Sequence, residues 1–263
     1  MDALKISAVM ITFNAQANLR QVLSALSFAS ETVVVDSGST DQTVEICREF
    51  GARVFTRAWS GYGAQKNYAI EQARHPWILS IDADEVVSPE LAEEITALNQ
   101  LTPYAGFRIP RLNHYFARPL YHGGQYPDLQ LRLFRAGRGS YNQRPVHESV
   151  EVDGPVGLLS GEILHYSYDT IADYFEKFGR YTSLEAERLQ AAGERPAAIR
   201  LALRMILAPC WKFVWRYLFK LGFLDGAAGL LAALLNSFTM IVSYAKLWEI
   251  AGKNPPGAKR PDR

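Results

Sequence analysis

Short apolar runs alternate with stretches of helical periodicity over the first hundred residues of the chain. Four runs, "ISAVMIT", "TVVVDS", "ARVFT" and "WILSID", have the length and β-branched content of buried strands. Apolar positions recur at helical spacing over 15–28, 41–50 and 62–73, and Ser88-Pro89 predicts the start of another helix. This order predicts a doubly wound α/β fold, with a mainly parallel central sheet flanked by helices.

The pattern changes between about residues 104 and 167, where short apolar strands are interleaved with arginine, glycine and aromatic residues. These segments, "AGFRIPRLNHYF", "LQLRLFR", "ESVEVDG" and "EILHYSY", predict mixed or antiparallel strands beside the parallel sheet. An amphipathic helix is predicted from Thr170 to Gly193. We therefore expect an α/β half over 1–102, a second half of the same domain over 103–193, and a C-terminal region over 194–263.

The C-terminal region is apolar with regularly spaced cations. Basic residues recur every fourth position in two groups, Arg200 with Arg204, and Lys212 with Arg216 and Lys220. Each group shares a helical face, with leucine and aromatic residues on the other face, which predicts an interfacial helix. The uncharged stretch 226–245 has 20 residues but contains four polar ones, so we expect it to lie on or dip into a membrane. A buried helical hairpin or an oligomer interface is the alternative, and the tail "GKNPPGAKRPDR" is expected to be disordered.

Composition narrows the class of protein. Lysine and arginine total 28 against 27 aspartate and glutamate residues, so the net charge of +1 gives no case for nucleic acid binding. Cys47 and Cys210 form no CxxC pair, which argues against a disulfide framework or a zinc site. The start "MDALK" lacks the features of a secretory signal, and a cytoplasmic protein is expected.

Polar residues gather where three predicted strands end. They are Thr12 and Asn14 after the first strand, Asp36 and Asp41 after the second, and Asp82, Asp84 and Glu85 after the fourth. Ligands of doubly wound sheets bind at this edge, but "TFNAQAN" contains no GxGxxG turn and the chain no P-loop, which excludes those nucleotide sites. Asp82 and Asp84 are spaced to approach one divalent cation that keeps positions open for phosphates, although such acids also cap helices.

Several motifs in this order carry a family resemblance. The stretches "SAVMITFNAQANLRQVLSALSFASETVVVDSGSTDQTVEI" and "GYGAQKNYAIEQARHPWILSIDADE" resemble inverting family 2 glycosyltransferases, which have the GT-A fold. The segments "YPDLQLRLFR" and "RPVHE" are similar to bacterial enzymes that add β-1,4-linked glucose to inner-core heptose of lipopolysaccharide. The resemblance covers about residues 5 to 150. It implies transfer from UDP-glucose, with Mg²⁺ or Mn²⁺, to a lipid-linked saccharide at the cytoplasmic face of the inner membrane.

The resemblance also assigns residues. It implies that the sugar nucleotide is contacted by Thr12, Asn14, Asp36, Asp41, Lys66 and Asp82. Asp82 and Asp84 match the family's DxD motif, whose metal holds the diphosphate. For Lys66, a solvated lysine at a helix start remains the alternative.

The base that deprotonates the acceptor hydroxyl is expected at Asp128. Many family members carry an acidic pair before the "LQLRL" segment, and here only Asp128 of the pair is present, so Glu148 is the alternative. His147 is either an additional metal ligand or a hydrogen-bonded histidine. Six arginines of this half are expected to meet acidic groups of the acceptor, at positions 108, 111, 118, 132, 135 and 144.

Two other functions compete with the transferase. An apolar strand followed by D-x-D is also how haloacid-dehalogenase-type phosphatases present a nucleophile, which would be Asp82 with Asp84 as acid/base, but no later acidic metal-binding pair follows. A catalytically inactive, membrane-associated scaffold is the second alternative, and the retained carboxylates argue against it. Association of copies through the C-terminal helices is a further expectation.

Overall fold

The computed structural model describes residues 4–142, 149–194 and 198–253. It divides into two compact units that alternate along the chain. The first comprises Met1–Asn113 and Pro127–Ser167, and the second comprises His114–Tyr126 and Tyr168–Arg263. The boundaries expected after residues 102 and 193 stay predictions from the sequence.

The first unit is built on a mixed sheet. Its strands are β1 (Ile6–Thr12), β2 (Glu31–Asp36), β3 (Arg53–Thr56), β4 (Trp77–Ser80), β5 (Glu85–Val87), β6 (Gly106–Tyr115), β8 (Asp128–Arg135), β11 (Val156–Leu158) and β12 (Ile163–Tyr168). The strand order is β3-β2-β1-β4-β8-β6-β12-β5, and β11 pairs with β6. The first four strands are parallel, as predicted, and β8 joins β4 antiparallel. A separate antiparallel pair is formed by β9 (Gly139–Tyr141) and β10 (Val150–Val152).

Four helices of this unit lie at or near the predicted positions. They are α1 (Gln16–Ala25), α2 (Thr43–Glu49), α3 (Tyr62–Glu71) and α4 (Pro89–Ala97). The predicted cap of α4 is confirmed, because Ser88 Oγ accepts a hydrogen bond from the Leu91 amide at 3.1 Å. A serine oxygen in this place satisfies an amide that has no partner inside the helix.

The parallel strands are buried on both faces. In β1, Ala8 and Met10 pack into one apolar cluster, and Val9 packs into a second cluster on the opposite side. Successive strand residues point to opposite faces, so a strand covered on both sides reads as a continuous apolar run. Full burial of a side chain such as Leu79 contributes about 1.5–3 kcal/mol.

The short strand β5 was not predicted. It follows the acidic segment directly and pairs antiparallel with β12, with Glu85 opposite His165. Asp82 and Asp84 therefore lie in the connection between β4 and β5, and α4 begins only after β5. Glu85, expected at the mouth of the site, is fully buried.

The second unit is mainly helical. It contains β7 (Arg118–Pro119), α5 (Ile171–Ala191), α6 (Ala198–Val214), a π-helical turn (Trp215–Phe219), a 3₁₀ turn (Gly222–Asp225) and α7 (Gly226–Lys253). Thr170 caps α5 in a reciprocal capping box with Asp173, which confirms the predicted start of this helix. The predicted tail begins at Gly252, but Gly252 and Lys253 still belong to α7, and the rest of the tail lies outside the described residues.

Helices α6 and α7 form an antiparallel hairpin. Lys212 of α6 bonds the carbonyl of Asn236 in α7, and Arg204 lies over the ring of Tyr244, which is eight residues further along α7. The hairpin closes through a close glycine contact, since a Cβ atom on Gly229 would lie 1.9 Å from the carbonyl oxygen of Gly222. The segment Gly222–Ala251 is long and apolar enough to cross a membrane, by length and composition alone.

Candidate functional site

The end of β2 builds a tight loop around Asp36. Its carboxylate accepts hydrogen bonds from Thr12 Oγ1 at 3.0 Å and from the amides of Gly38 and Ser39 at 2.9 and 2.8 Å. Gly38 has φ +95°, a left-handed conformation that suits glycine. β1 and β2 are parallel and paired, with Thr12 opposite Asp36, and so the two predicted donor-site residues meet.

Asn14 and Asp41 brace the same loop. Asn14 has φ +47°, and its side-chain oxygen accepts a hydrogen bond from the Thr40 backbone amide at 2.8 Å. The backbone amide of Asn14 donates to Ser39 Oγ. Asp41 accepts from the amide of Thr43 at 3.0 Å, at the start of α2. Asp41 thus holds the start of α2, and its predicted contact with the sugar nucleotide stays a prediction.

Asp82 lies between two cations. Its Oδ1 is 2.8 Å from Lys66 Nζ, and its Oδ2 is 2.7 Å from a terminal nitrogen of Arg132. Burial raises the pKa of Asp82, but the charges of Arg132 and Lys66 outweigh it and hold this pKa well below its usual range. Lys66 is buried in the middle of α3, so its position is not that of a solvated lysine at a helix start.

Glu85 joins two arginines behind Asp82. Its fully buried carboxylate accepts hydrogen bonds from Arg132 and from Arg111, and its second oxygen accepts the Asp82 amide at 3.0 Å. Burial lowers the pKa of Arg111, but Glu85 and Asp128 raise it above its ordinary value. Glu85 therefore holds both arginines in place.

Asp128 completes this network from the start of β8. Its Oδ2 accepts two hydrogen bonds from Arg111, at 2.6 and 3.0 Å, and its Oδ1 accepts one from Gln130 at 2.7 Å. The side chain is 32% exposed, so the carboxylate is within reach of a substrate. The antiparallel pairing of β6 with β8 sets Arg111 opposite Asp128.

Asp84 faces a histidine that the sequence analysis did not identify. Its Oδ2 lies 3.6 Å from His165 Nε2. His165 Nδ1 lies 2.7 Å from Asn113 Oδ1, an oxygen that only accepts hydrogen bonds. This contact suits the tautomer with its proton on Nδ1, in which Nε2 carries the lone pair. A carboxylate and an imidazole lone pair in this relation fit two ligands of one divalent cation.

The donor set is incomplete without substrate. Among residues 4–142, 149–194 and 198–253, no three histidine, cysteine, aspartate or glutamate side chains form a metal-binding group. Asp84 and His165 would supply two ligands to a divalent cation, which leaves open positions of the kind that phosphate oxygens fill. His147, the predicted additional ligand, and Glu148, the alternative base, lie outside the described residues, as does position 144.

The predicted role of the second-half arginines is changed by these contacts. Arg111 and Arg132 bind carboxylates of the site itself, and Arg135 donates to three backbone carbonyls and lies over the Trp77 ring. These partners could not be predicted from the sequence, because they lie far from the arginines along the chain. Tyr141 belongs to the same network, since its hydroxyl lies 3.1 Å from Arg132 and 2.8 Å from Ser80.

A mixed α/β sheet with carboxylates and cations at its strand ends is the GT-A-like arrangement of glycosyltransferases. The chain belongs to glycosyl transferase family 2, because the model of that family matches residues 7–140. The enzyme class expected from the sequence is confirmed, and the phosphatase alternative is set aside by the same finding.

Curated relatives match over most of the chain. An uncharacterized glycosyltransferase of Rickettsia prowazekii is 32% identical, with 95% of this chain and 89% of the relative covered. The lipopolysaccharide core biosynthesis glycosyltransferase LpsC of Rhizobium meliloti is 30% identical, with 94% and 93% covered.

Solved structures are more distant. Glucosyl-3-phosphoglycerate synthase from Mycobacterium tuberculosis, crystallised with Mn²⁺, UDP and glucosyl-3-phosphoglycerate, is 21% identical with a TM-score of 0.34. That match covers 42% of this chain, which spans under half, 44%, of the length of the synthase. TarS of S. aureus, as residues 1–349, is 15% identical with a TM-score of 0.41, with 95% of this chain and 91% of that one covered.

Proposed function

We propose that this glycosyltransferase moves a hexose, glucose from UDP-glucose, with inversion onto a lipid-linked glycan such as inner-core heptose of lipopolysaccharide. The observation that carries the proposal is the cluster at the strand ends, where Asp82 and Asp128 lie in one network with Glu85, Lys66 and two arginines, and Asp84 faces His165. The relative in Rhizobium meliloti, named for lipopolysaccharide core biosynthesis, supports the acceptor class.

The nucleoside is assigned to the loop around Asp36. Thr12, Asn14 and Asp36 line the ends of β1 and β2, and Asp41 holds the loop that joins β2 to α2. Polar groups at the carboxyl ends of neighbouring parallel strands are where ligands of such sheets bind. A preformed loop needs little ordering when the nucleoside enters.

A divalent cation, Mg²⁺ or Mn²⁺, would be held by Asp84 and His165, and when bound it neutralises charge on the departing nucleoside diphosphate. Both oxygens of Asp82 face cations of the chain. Asp82 therefore acts chiefly as an anchor for Lys66 and Arg132, which lie beside the diphosphate. Its predicted role as a direct metal ligand stays a prediction.

The base is assigned to Asp128, with Glu148 as the alternative. Asp128 accepts the proton of the acceptor hydroxyl as that oxygen attacks the anomeric carbon. On protonation Asp128 loses its charge, but Arg111 keeps Glu85 as an ionic partner. The arginine is thus never left buried without a counter-charge, which would be costly.

The acceptor would be reached at the cytoplasmic face of the inner membrane, with the C-terminal helices as the docking element. These helices expose many large apolar side chains, including Ile199, Trp211, Phe219 and Trp248. Exposed apolar surface of this extent marks a membrane or protein contact. Association of copies through these helices is the alternative use of this surface.

The test is release of UDP from a panel of sugar nucleotides, with heptosylated lipid acceptor, with and without Mn²⁺. We expect metal- and acceptor-dependent release from UDP-glucose by the wild-type chain, and loss of that release in Asp84→Ala. Asp153→Ala removes an acid that is 93% exposed and is the matched control, expected to retain full activity. Tight binding of UDP-glucose without turnover on any acceptor would instead support the inactive scaffold.

A further inference from the structure

Three of the five cations on the predicted basic faces of the α6–α7 hairpin bond within the second unit. Lys212 Nζ donates to the Asn236 carbonyl at 3.1 Å, and Arg216 donates to the Gly123 carbonyl at 3.2 Å. Arg204 pairs with Glu194 over the Tyr244 ring. The other two cations, Arg200 and Lys220, are exposed near the two ends of this segment.

The polar residues of α7 are satisfied inside their own helix. Asn236, Ser237, Thr239 and Ser243 each donate to the carbonyl four residues earlier, at 2.7 to 2.9 Å. Such bonds let a polar side chain lie in an apolar medium, where an unpaired donor is costly. These four residues, which argued against a membrane segment in the sequence, are compatible with lipid contact.

The outward surface of the hairpin is apolar. On α6 it presents a row at helical spacing, comprising Ile199, Leu203, Ile206, Leu207, Trp211 and Phe219. Each of these side chains is at least 48% exposed. Exposure of such a row to water costs about 25 cal/mol per Å² of apolar surface. A partner that covers this surface is therefore strongly favoured.

The charge of the hairpin favours an anionic lipid surface over a second copy of the chain as its partner. From the start of α6 to the end of α7, residues 198–253 include seven lysines and arginines but two acids, Asp225 and Glu249. Asp225 is buried and pairs with His122 at 2.7 Å, and Glu249 is exposed near the end of α7, so the hairpin carries a net positive charge. Basic residues near an anionic lipid surface each gain about 1 kcal/mol, whereas the same positive hairpin on a second copy would repel it.

The contacts of α7 with α5 exclude a crossing of the bilayer by α7. Tyr174 Oη of α5 donates to the Leu235 carbonyl at 3.1 Å, and Lys246 of α7 reaches the Gly179 carbonyl of α5 at 2.7 Å. α5 carries exposed charges, among them Glu176 and Glu187, beside this part of α7. A helix flanked by such charges along its middle cannot be surrounded by hydrocarbon.

We propose that the α6–α7 hairpin lies parallel to the membrane within one leaflet of a bilayer containing anionic phospholipid, with its apolar row in the acyl region and the exposed Arg200 and Lys220 at the anionic headgroups. The hairpin is thus monotopic and does not cross the bilayer. This inference deepens the membrane part of the proposed function and rests on it. Within the second unit, the hairpin turn is held by its bonds to His122 and Gly123.

Vesicle flotation of the full chain tests the partner. We expect binding to phosphatidylcholine vesicles that contain phosphatidylglycerol, and weaker binding to phosphatidylcholine alone. Ile206→Glu and Phe219→Glu should each lower the partition coefficient between water and vesicles about tenfold or more. Each change removes an apolar side chain that would be buried in the membrane and adds a charge there. Leu158→Glu in the first unit is the matched control with unchanged binding, because Leu158, Ile206 and Phe219 are all 61% exposed.

Native Cys210 reports the depth of insertion. It is exposed on α6, whereas Cys47 is buried. A membrane-impermeant maleimide should label the free chain at Cys210 and fail to label it on anionic vesicles, with Cys210→Ser as the blank. Equal labelling with and without vesicles overturns the proposal, and so does protection without lipid, which would show that a second copy covers the face.

Crossing of the bilayer is tested at the hairpin turn. Leu224 is 56% exposed there, and Leu224→Cys in the Cys210→Ser background places a thiol at the turn. No labelling from outside intact spheroplasts is expected, and labelling from that side would show a crossing. These readouts need no sugar nucleotide, so vesicle binding without UDP release would refute the transferase proposal alone.

Discussion

Replacement of Arg132 by methionine tests whether the carboxylate cluster depends on its central cation. Methionine keeps an unbranched apolar stem, but it removes the guanidinium that bonds Asp82 at 2.7 Å and also bonds Glu85. Asp82 retains Lys66, and Glu85 retains Arg111 at the longer distance of 3.2 Å. The loss therefore falls mainly on Glu85, which is fully buried.

The expected magnitude follows from burial. Removal of one partner from a buried ion pair costs about 3–5 kcal/mol, because the other charge is left desolvated. Both carboxylates keep one cation, and the Asp82 side chain is 28% exposed, so we expect the low end, about 3 kcal/mol. At about 2–4 °C per kcal/mol for a chain of this size, the melting temperature should fall by about 6–12 °C.

The assay is urea unfolding followed by tryptophan fluorescence, since Trp77 is buried in the apolar core of the first unit. Arg138→Met is the matched control. Arg138 is 58% exposed and 4.0 Å from Asp153, so its loss should cost at most about 1 kcal/mol. Adding Glu85→Gln to Arg132→Met should recover part of the loss. A loss in Arg132→Met no larger than that in Arg138→Met would refute the reasoning.

Three further changes have defined outcomes. Gly229→Ala should destabilise the hairpin turn, because the added Cβ would lie 1.9 Å from a carbonyl oxygen. Thermal unfolding measures this loss. The control is Gly179→Ala, which adds a Cβ in open space and should be neutral or stabilising by about 0.5–1 kcal/mol. Asp128→Asn should lower turnover by about 10²–10⁴-fold with unchanged affinity for the sugar nucleotide, and near-full turnover would exclude Asp128 as the base. The pKa of Asp82 is depressed in the folded chain, so its contribution to stability is present above the unfolded value of about 3.9 and is lost as the pH falls below it. Urea unfolding between pH 3 and 7 should therefore show a smaller acid dependence in Asp82→Asn than in the wild-type chain.

The parallel half of the fold could be predicted because its signals are local. Strands buried on both faces read as apolar runs, and the start of α4 is marked by Ser88 and Pro89 side by side. The three-residue strand β5 carries no such signal. Its pairing with β12 joins segments nearly eighty residues apart, which no local pattern records.

Some residues of the candidate site could likewise be predicted from local signals, and others could not. The carboxylates were predicted because ligands bind at strand ends, and Thr12 with Asp36 meets there as expected. His165 was not recognised as a site residue, and Arg111 was expected to meet the acceptor and not Asp128. The places of both residues depend on the register of β5 with β12 and of β6 with β8. Helical spacing likewise predicted the shared face of Lys212 and its neighbours, but the direction of that face is set by packing against α7.

The balance of charge within the cluster bears on the order of ligand binding. Three cations, Lys66, Arg111 and Arg132, are paired with three carboxylates, Asp82, Glu85 and Asp128. Their charges cancel, and Asp84 beside them adds a negative charge. A bare diphosphate therefore meets no net positive field, and a divalent cation at Asp84 and His165 should be needed before it binds tightly. Calorimetric titration with UDP should show at least tenfold tighter binding with Mn²⁺ than without it, and Asp84→Ala should remove that difference. Equal affinity for UDP with and without metal would show that the cations of the cluster leave their carboxylates to bind the diphosphate directly.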